Sequence, residues 1–580
     1  MAKQLRAIDF FCGAGGWSEG LRQQGIKVVM GIDNWRPAVE THNINHGLND
    51  VVGDVLSLEG DVDATIEKLP DTEIIVGSPP CISFSMSNKA GKADKSLGIR
   101  LIEAYLRFVA VKKHKKRSIL QAWYMENVPN SRNFVQKTYT FADLNLSAWA
   151  KKNGKNPKAV ALNVQDNGGI LCAADYGSPQ SRERFVCGEM TKRNGSVKVG
   201  EFLAPKVTNA NSRVTLEDIK GKMPKPTEKP GNKAWADPNY PNLKLKVQDI
   251  TDHFYDPGVY RSEWESAKAA KVNHPFMGRM SFPEDRKRPS RTIMATRSGS
   301  TREAIIYPSE WGHVGDGQYR LPTIREAASL MGFPITYQFT GGEGSKWRQI
   351  GNAVCPHMSA AIGAALRKAF GMRPIPVAKI MFDAKHVKDE RILNLNTFAP
   401  RSYDKPPLRK AGAKFRRQPF KSGNMTVALM NFDPRVSIGA AVASDWRAVV
   451  FVGAGKVYDT VELGLDDLRV LETSLASRKE GRTFIAEFEK KFDGKVAPTA
   501  ELQTIFETNQ PGTKALAPSE LVQAVADLAE KVGSGPAPVT NPIMTRVRKA
   551  EVPHQQLLAM YALARISAEI KRAAAVPEPA

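Results

Sequence analysis

The sequence predicts an α/β fold built on a doubly wound sheet. Short apolar runs alternate with helix-like stretches through residues 1–190, and the runs end at glycine, aspartate or proline. Repetition of strand, helix and strand is typical of parallel sheets with helices on both faces. Ligands bind such sheets at the carboxyl ends of the strands, so function is expected there. The strands are expected at Ala7–Phe11, Val28–Ile32, Glu73–Val76, Ala122–Met125 and Phe185–Gly188.

The length of the chain, 580 residues, indicates about three domains. The catalytic core is expected in residues 1–190 plus 346–370. Residues 191–345 form a separate region that begins rich in Pro, Lys, Asn and Gly, which favours a small irregular or β-rich domain. Residues 371–580 change in character again and predict an additional α+β domain. Its basic stretch at 401–421 is interpreted as a linker or a phosphate-binding arm.

Composition favours a polyanionic partner, with nucleic acid the obvious class. The formal net charge is +23 and the pI is near 9.6. Five cysteines, scattered and without a C-x-x-C pair, indicate a reducing cytoplasm and neither a disulfide framework nor a structural zinc site. No apolar run reaches the ~18 residues of a transmembrane helix, and no secretory signal is evident. We expect no membrane partner and no metal.

Two features at the first strands indicate a cofactor that contains adenosine. The first strand leads through Asp9 and Phe11 into a turn with Gly13 and Gly15, which lets the backbone approach a ligand closely. The second strand ends in Asp33, about 20 residues on, where a carboxylate can bind ribose hydroxyls. NAD and S-adenosylmethionine both remain possible on these residues, and Asp33 could instead cap a helix.

The later strand ends carry candidate catalytic groups. Pro80 braces Cys81, which is placed to act as a nucleophile, although a cysteine can also be a small buried apolar residue. Glu126 at the fourth strand could hold a proton near neutral pH, or it could pair with a cation. Arg182 and Arg184 are expected on one side of the fifth strand, where they could bind a carbonyl oxygen or form structural ion pairs.

Taken together, these motifs resemble the DNA (cytosine-5) methyltransferase family over about residues 5–370. The elements occur in family order at Asp9–Gly16, Asp33, Gly53-Asp54, Pro80-Cys81, Glu126-Asn127-Val128, Gln180–Arg184, Arg288–Ile293 and Gln349–Val354. Each motif is short, but the ordered set is highly specific. The resemblance implies a Rossmann-like core that binds S-adenosylmethionine, and it makes residues 191–345 a target-recognition region.

The resemblance also implies a role for each site residue. Phe11 would lie against adenine, Gly13 and Gly15 near the methionine moiety, and Asp33 at the ribose. Asp54 would hold the adenine amino group and Asn352 would lie near the cofactor. Asp9 and Pro80 complete the expected cofactor set. Cys81, Glu126, Arg182 and Arg184 form the expected catalytic set.

The implied reaction is methylation of carbon 5 of cytosine in double-stranded DNA. Cys81 would add to C6 of a base flipped out of the duplex, Glu126 would act on N3, and Arg184 with Arg182 would bind O2. A monomeric enzyme of the cytoplasm and nucleoid is expected, with a restriction endonuclease as a possible counterpart. Ile82 departs from the family, which usually has Gln after the nucleophile. Residues 371–580 lie outside the resemblance.

Two other functions compete with this interpretation. An RNA (cytosine-5) methyltransferase could share the catalytic core, but the long segment between Arg184 and Arg288 and the basic C-terminal region are more than such an enzyme needs. A non-catalytic DNA-binding protein could retain the fold. A proline-braced cysteine together with Glu126 and Arg184 argues against that.

Overall fold

The computed structural model divides the chain into two compact units, Met1–Tyr403 and Asp404–Ala580. The residues that it describes are 4–80, 95–192, 197–229, 231–272, 278–385, 388–404, 408–419, 421–422, 425–433, 435–436, 445–452, 459–509, 514–532, 542–546 and 552–574. None of the helices formed by these residues is long and apolar enough to cross a membrane.

The first unit is organised around a mixed sheet of six strands within the described residues, in the order β2-β1-β3-β4-β8-β7. Its first half contains β1 (Arg6–Phe10), α1 (Gly16–Gln23), β2 (Lys27–Ile32), α2 (Arg36–His46), α3 (Val62–Thr65), β3 (Ile74–Gly77), α4 (Lys95–His114) and β4 (Ala122–Asn127). The elements that follow are β5 (Thr138–Thr140), α5 (Ser147–Lys152), β6 (Val160–Asn163), β7 (Gly168–Cys172) and β8 (Glu183–Met190).

Both faces of this sheet are buried, which confirms the α/β prediction. Alternate residues of β4 point to opposite sides. Trp123 and Met125 join one apolar cluster with α4, whereas Ala122 and Tyr124 join a second cluster with α1 and the helices near residue 350. A strand buried on both faces has to be apolar throughout, which explains the continuous apolar runs of the sequence.

The direction of the last two strands differs from the sequence expectation of a parallel sheet. β1, β2, β3 and β4 are parallel, but β8 runs antiparallel to β4 and β7 antiparallel to β8. A parallel neighbour would need a long crossover, usually a helix, whereas β7 and β8 are joined by a short connection that includes one 3-10 helix, Ala173–Tyr176. Consequently the beginning of β8 lies beside the carboxyl end of β4.

The remainder of the first unit has short strands and helices. Its elements are α6 (Leu216–Lys220), β9 (Ala234–Ala236), β10 (Lys244–Lys246), α7 (Arg261–Val272), β11 (Tyr307–Pro308), β12 (Tyr319–Arg320), α8 (Ile324–Met331), α9 (Glu343–Asn352) and α10 (Pro356–Ala369). Buried ion pairs brace it, including Arg320 with Glu326 (2.7 Å) and Lys346 with Asp252 (2.7 Å). Removing one partner of such a pair would leave a buried charge uncompensated.

The first unit continues past residue 370, where the sequence suggested a boundary. The ammonium group of Lys346 donates to the carbonyl oxygen of Leu393 at 2.5 Å. The amide of Asn396 donates to the carbonyl oxygen of Ile250 at 2.7 Å. These contacts satisfy buried polar groups of the first unit, so the segment after α10 packs as part of it. Amino-acid composition alone does not predict such contacts.

The second unit is α+β. Its elements are β13 (Arg416–Arg417), β14 (Lys421–Ser422), β15 (Met425–Met430), β16 (Arg447–Val452), β17 (Asp459–Glu462), α11 (Leu465–Ala476), α12 (Lys479–Phe492), α13 (Thr499–Thr508), α14 (Pro518–Val532), α15 (Pro542–Arg546) and α16 (His554–Ala574). The strands form an antiparallel sheet, and the apolar side of α16 packs against β15 and β16 in one buried cluster with the other helices.

The contact between the start of α1 and the segment just before α10 generates a stability prediction. A Cβ at Gly16 would overlap the carbonyl oxygen of Val354, which is backbone and cannot rotate away. Gly16→Ala should therefore lower the free energy of unfolding by about 2–3 kcal/mol through overpacking. Denaturant titration followed by tryptophan fluorescence measures this. Gly344→Ala is the control, since a Cβ there meets nothing within 4 Å. Equal stability of the Gly16 and Gly344 variants would contradict the packing argument.

Candidate active site at the carboxyl edge of the sheet

The turn after β1 is held in a backbone conformation that few residues adopt. Gly13 and Gly15 have φ of 53° and 89°, and Phe11 has φ of 53° although it carries a side chain. A Cβ at Gly15 would lie 2.6 Å from the hydroxyl oxygen of Tyr337, so glycine is required there for packing as well as for φ. Backbone strain of the kind seen at Phe11 concentrates at functional sites.

Asp33 links the ends of β1 and β2. Its carboxylate accepts hydrogen bonds from the backbone N–H groups of Gly13 (3.0 Å) and Trp35 (2.8 Å). The N-cap residue of α2 is Trp35, so Asp33 is not itself the cap residue. Burial raises the pKa of Asp33, and these hydrogen bonds oppose the rise. A half-buried carboxylate beside a glycine-rich turn can accept hydrogen bonds from ligand hydroxyls.

A cavity of about 180 Å³ opens beside these strand ends. Its walls are mainly apolar, and Asp54 stands among them while its carboxylate accepts a hydrogen bond from the N–H of Leu56 at 2.9 Å. The lining residues are Phe10, Met30, Gly31, Ile32, Val51, Gly53, Asp54, Val55, Ser57, Leu58, Thr65 and Leu69. Phe11 is not among them. Sequence reasoning missed Phe10, Met30 and Ile32, because an apolar residue at a strand end has the same pattern whether it lines a pocket or the core.

Asp9 lies beneath the glycine-rich turn and not in the cavity. The carboxylate is fully buried, Ser18 donates a hydrogen bond to it at 2.7 Å, and Nε2 of His42 is 2.8 Å from the same hydroxyl oxygen. Burial raises the pKa of Asp9 to about 7. These surroundings make Asp9 a support for the turn, and a contact of Asp9 with the cofactor remains a prediction.

The segment that leads to residue 81 is tied to three neighbouring elements. The N–H of Ser78 donates to the carbonyl oxygen of Phe10 at 3.1 Å, and the indole of Trp17 donates to the hydroxyl of Ser78 at 2.9 Å. The amide of Asn127 donates to the carbonyl oxygen of Pro79 at 3.0 Å. Pro80 follows and is exposed. Cys81, like Ile82, lies outside the described residues.

Glu126 and Arg184 meet at the junction of β4 and β8. The guanidinium Nε of Arg184 lies 2.9 Å from a carboxylate oxygen of Glu126, and only 11% and 7% of the two side chains are exposed. The ion pair considered from the sequence is therefore present. Because it lies at the carboxyl edge of the sheet, where ligands bind, a structural and a catalytic role are compatible.

Arg182 does not lie beside Arg184. Its guanidinium donates to the carbonyl oxygens of Ile293 (3.2 Å), Gly351 (3.0 Å) and Ala353 (3.0 Å), and the residue is 2% exposed. The expectation that Arg182 binds substrate does not agree with these contacts. β8 begins at Glu183, so the two arginines do not share the alternation of one strand. Arg182 instead holds the segment around Asn352, which is exposed.

Gln180 is a further residue whose role the sequence did not reveal. It is fully buried, its side-chain oxygen accepts from the N–H of Ile293 at 3.1 Å, and its amide approaches the carbonyl oxygen of Leu330 at 3.4 Å. It therefore joins the turn before β8 to segments more than 100 residues away. Only a motif shared among related sequences could signal such a contact in advance.

The environment of Asp9 generates a pH prediction. Its folded pKa of about 7 lies above the ordinary aspartate pKa of 3.8, so the folded protein retains a proton that the unfolded chain releases. The associated stability is complete at low pH and is lost as the pH rises from about 4 to about 7. Asp9→Asn should remove this dependence, so the variant should lose less stability between about pH 5 and about pH 8, by on the order of 2 kcal/mol.

Denaturant titration at the two pH values measures this difference. Asp63→Asn is the control, since the side chain of Asp63 is 64% exposed. Identical pH dependence in the Asp9 variant and the parent protein would show that Asp9 does not carry the retained proton.

Comparison with known proteins shows the family of the chain. A family model described as C-5 cytosine-specific DNA methylase matches residues 5–368. The type II methyltransferase M.HgiDI of Herpetosiphon aurantiacus is 27% identical over 370 residues, covering 63% of this chain and 94% of that protein. DNA (cytosine-5)-methyltransferase 1A of Oryza sativa subsp. japonica is 27% identical over 455 residues, covering 63% of this chain and 28% of that protein.

Among solved structures, the chain is similar to the S. pombe Dnmt2 methyltransferase, with a TM-score of 0.36, 18% identity and coverage of 63% of this chain and 99% of that one. The family match, in contrast, spans well over half of the 580 residues. This protein belongs to the C-5 cytosine-specific DNA methylases and is a DNA (cytosine-5-)-methyltransferase.

Proposed function

We propose that the enzyme transfers a methyl group from S-adenosylmethionine to carbon 5 of cytosine at a specific sequence in double-stranded DNA. The observation that supports this most is the buried pair of Glu126 and Arg184 at the sheet edge. The pair lies at the carboxyl end of β4. Asn127, the last residue of this strand, also anchors the Pro79–Pro80 segment directly before Cys81. A carboxyl group, a guanidinium and a thiol are the three groups that covalent activation of a pyrimidine ring requires.

The cavity beside β1 and β2 fits the adenosine part of the cofactor. Its apolar walls suit a flat heteroaromatic ring, Asp54 is placed to accept from the adenine amino group, and Asp33 can accept from the ribose hydroxyls. The turn at Gly13 and Gly15 would approach the methionine moiety, Phe11 would lie against adenine, and Pro80 and the exposed Asn352 would complete the contacts. The cofactor supplies the electrophilic methyl group that carbon 5 accepts.

The residues of the chain make carbon 5 nucleophilic. The thiolate of Cys81 forms a bond to C6, and the electron pair of the C5–C6 double bond shifts toward C4 and N3. Glu126 delivers a proton to N3, and Arg184 stabilises the charge on O2. After methylation a base removes the proton from C5, the electron pair of the sulfur–C6 bond leaves with Cys81 as thiolate, and N3 returns its proton to the carboxylate of Glu126. The aromatic ring is then restored.

The DNA has to present its cytosine outside the helix. Stacking hides C6, so the base flips out at a cost of a few kcal/mol. A net charge of +23 favours binding to phosphates, and residues 191–345 would read the surrounding sequence. The enzyme would act as a monomer in the cytoplasm, at the nucleoid. Since its relative M.HgiDI is a type II methyltransferase, a restriction endonuclease is the expected counterpart.

Methyl transfer in vitro is the direct test of this function. The protein is incubated with methyl-tritiated S-adenosylmethionine and either mixed-sequence duplex DNA or tRNA, beside a Cys81→Ala variant. We expect label in DNA that is lost in the variant, because the covalent step needs the thiol. Bisulfite sequencing of the product should show protected cytosines in one sequence context.

Three outcomes would contradict the proposal or a part of it. Label in tRNA alone would identify an RNA methyltransferase. Label in DNA with the Cys81→Ala variant at full rate would exclude the covalent mechanism. Protection spread over all cytosines would refute the sequence specificity while leaving the chemistry in place.

The different surroundings of Glu126 and Arg182 predict different defects. Glu126→Gln keeps the shape of the side chain but removes the acid, so kcat should fall roughly 10²- to 10⁴-fold with cofactor affinity retained. Arg182→Met leaves three carbonyl oxygens without their donor, so the free energy of unfolding should fall by about 2–4 kcal/mol. Steady-state kinetics and denaturant titration of both variants separate the two roles. If the Arg182→Met enzyme is stable and its kcat is as low as that of Glu126→Gln, then Arg182 is a catalytic residue.

A further inference from the structure

The positive charge of the second unit is concentrated in one short segment. Residues 405–421 contain seven Lys and Arg and no Asp or Glu, whereas the rest of 404–580 contains 18 Lys and Arg against 20 Asp and Glu. The sequence left open whether this stretch is a linker or a phosphate-binding arm. The contacts of residues 408–417 distinguish a flexible linker from a segment with a fixed backbone.

The segment is built into the fold of the second unit. The backbone N–H of Arg409 donates to the carbonyl oxygen of Glu507 at 2.6 Å, and the guanidinium of Arg409 lies 4.4 Å from the ring centre of Phe506. The N–H of Gly412 donates to the carboxylate of Glu507 at 2.7 Å. These contacts attach the segment to the carboxyl end of α13. A flexible linker would not be held in this way.

Near its end, the segment is also anchored by the buried side chain of Phe415. Phe415 is buried, and its ring lies 5.3 Å from that of Trp446 and 5.2 Å from that of Phe506. Its N–H donates to the side-chain oxygen of Asn431 at 2.6 Å, while the amide of Asn431 donates to the carbonyl oxygen of Ala413 at 2.9 Å. The backbone on both sides of Lys414 is thus fixed on the body of the unit.

Fixing the backbone leaves the cationic side chains on the surface. Lys410, Lys414, Arg416 and Arg417 are all exposed. Arg416 and Arg417 form β13, which pairs with Leu429 and Met430 of β15 at the margin of the sheet. The guanidinium of Arg416 lies over the ring of Phe451, 4.1 Å from its centre. We call residues 408–417 the basic edge.

We infer that the basic edge binds the phosphate backbone of duplex DNA, as a contact that is independent of base sequence and separate from the catalytic unit. Exposed lysine and arginine side chains neutralise phosphates and carry no sequence information themselves. A pre-ordered backbone lowers the entropy cost of this contact. DNA is the expected polyanion because the family acts on DNA. The inference rests on that substrate and not on the proposed covalent mechanism.

Protection of the sheet margin is the competing explanation of the same charges. Lysine and other charges on edge strands prevent pairing with other molecules. That role predicts aggregation when the charges are removed and no change in DNA affinity. Phosphate binding predicts a change in the salt dependence of DNA affinity, because each lost phosphate contact reduces the number of released counterions.

The test compares the full-length protein with a Lys410→Gln/Arg417→Gln variant. Fluorescence anisotropy measures binding to a short duplex of A·T pairs, which lacks cytosine and so excludes recognition of the target base. Lys479→Gln/Lys495→Gln is the matched control, since both side chains are exposed in the same unit and the loss of charge is equal. Thermal unfolding and size-exclusion chromatography of all three proteins report folding and aggregation.

We expect the slope of log affinity against log salt to become shallower by about 1.8 in the basic-edge variant, for two phosphate contacts. Between about 50 and about 200 mM salt, the parent should then lose roughly tenfold more affinity than the variant. The control should retain the parent slope. Equal slopes in the two variants would overturn the inference, as would aggregation of the basic-edge variant with an unchanged slope.

An A-form RNA duplex is titrated in parallel. A difference that appears only with RNA would identify RNA as the partner and refute the DNA contact. Because the duplexes lack target cytosine, a shallower slope supports the basic edge even if the enzyme fails to methylate DNA. Conversely, an enzyme that methylates DNA but shows no change of slope would retain its function without this surface.

Discussion

β8 runs antiparallel to β4, with Asn127 opposite Phe185, and this pairing determines which residues meet at the carboxyl edge of the sheet. A parallel strand would carry its first residues to the opposite edge. Here the residues that enter β8 lie next to the residues that leave β4, and Arg184 therefore reaches Glu126. The same reversal places the preceding turn, with Gln180 and Arg182, against the segments around Ile293 and Gly351. The Glu126–Arg184 pair and the attachment of the later chain to the sheet have one structural cause.

Much of this organisation is accessible from the sequence. Apolar runs that end in Gly, Asp or Pro predicted the strands, because a strand buried on both faces has to be apolar. The ends of these runs predicted the functional edge, because a turn that binds a ligand has to leave its backbone accessible. The direction of β8 was not accessible, since an apolar run carries no orientation. Arg182 and Arg184 were expected on one side because strand alternation was extended through both. The strand begins between them, so two positions separate a buried carbonyl-binding arginine from one that pairs with Glu126.

The two carboxylates near the glycine-rich turn illustrate a second limit. Asp9 precedes the glycine-rich turn, and Asp33 follows the end of β2. Asp9 is fully buried and accepts a hydrogen bond from Ser18, whereas Asp33 accepts one from the backbone N–H of Gly13 at the strand end. The surroundings decide this, because Asp9 lies within β1 with its carboxylate against Ser18 of α1, whereas Asp33 follows the last residue of β2. Desolvation then favours the protonated form of Asp9, whose pKa rises to about 7. Below about pH 7 a protonated Asp9 can support the turn without placing a full charge in the core.

The Glu126–Arg184 pair shows why an ion pair at a functional site need not be merely structural. Removing two charges from water is costly, and close pairing offsets the cost only while both partners remain together. A cytosine that enters the edge offers a basic nitrogen at N3 and a carbonyl oxygen at O2, which can replace part of each partner's hydrogen bonding. The carboxyl group could then take up and deliver a proton, because its cation would be shared with the base. In the proposed mechanism this pairing would hold both groups ready for the substrate, so a stabilising and a catalytic role would depend on the same 2.9 Å contact.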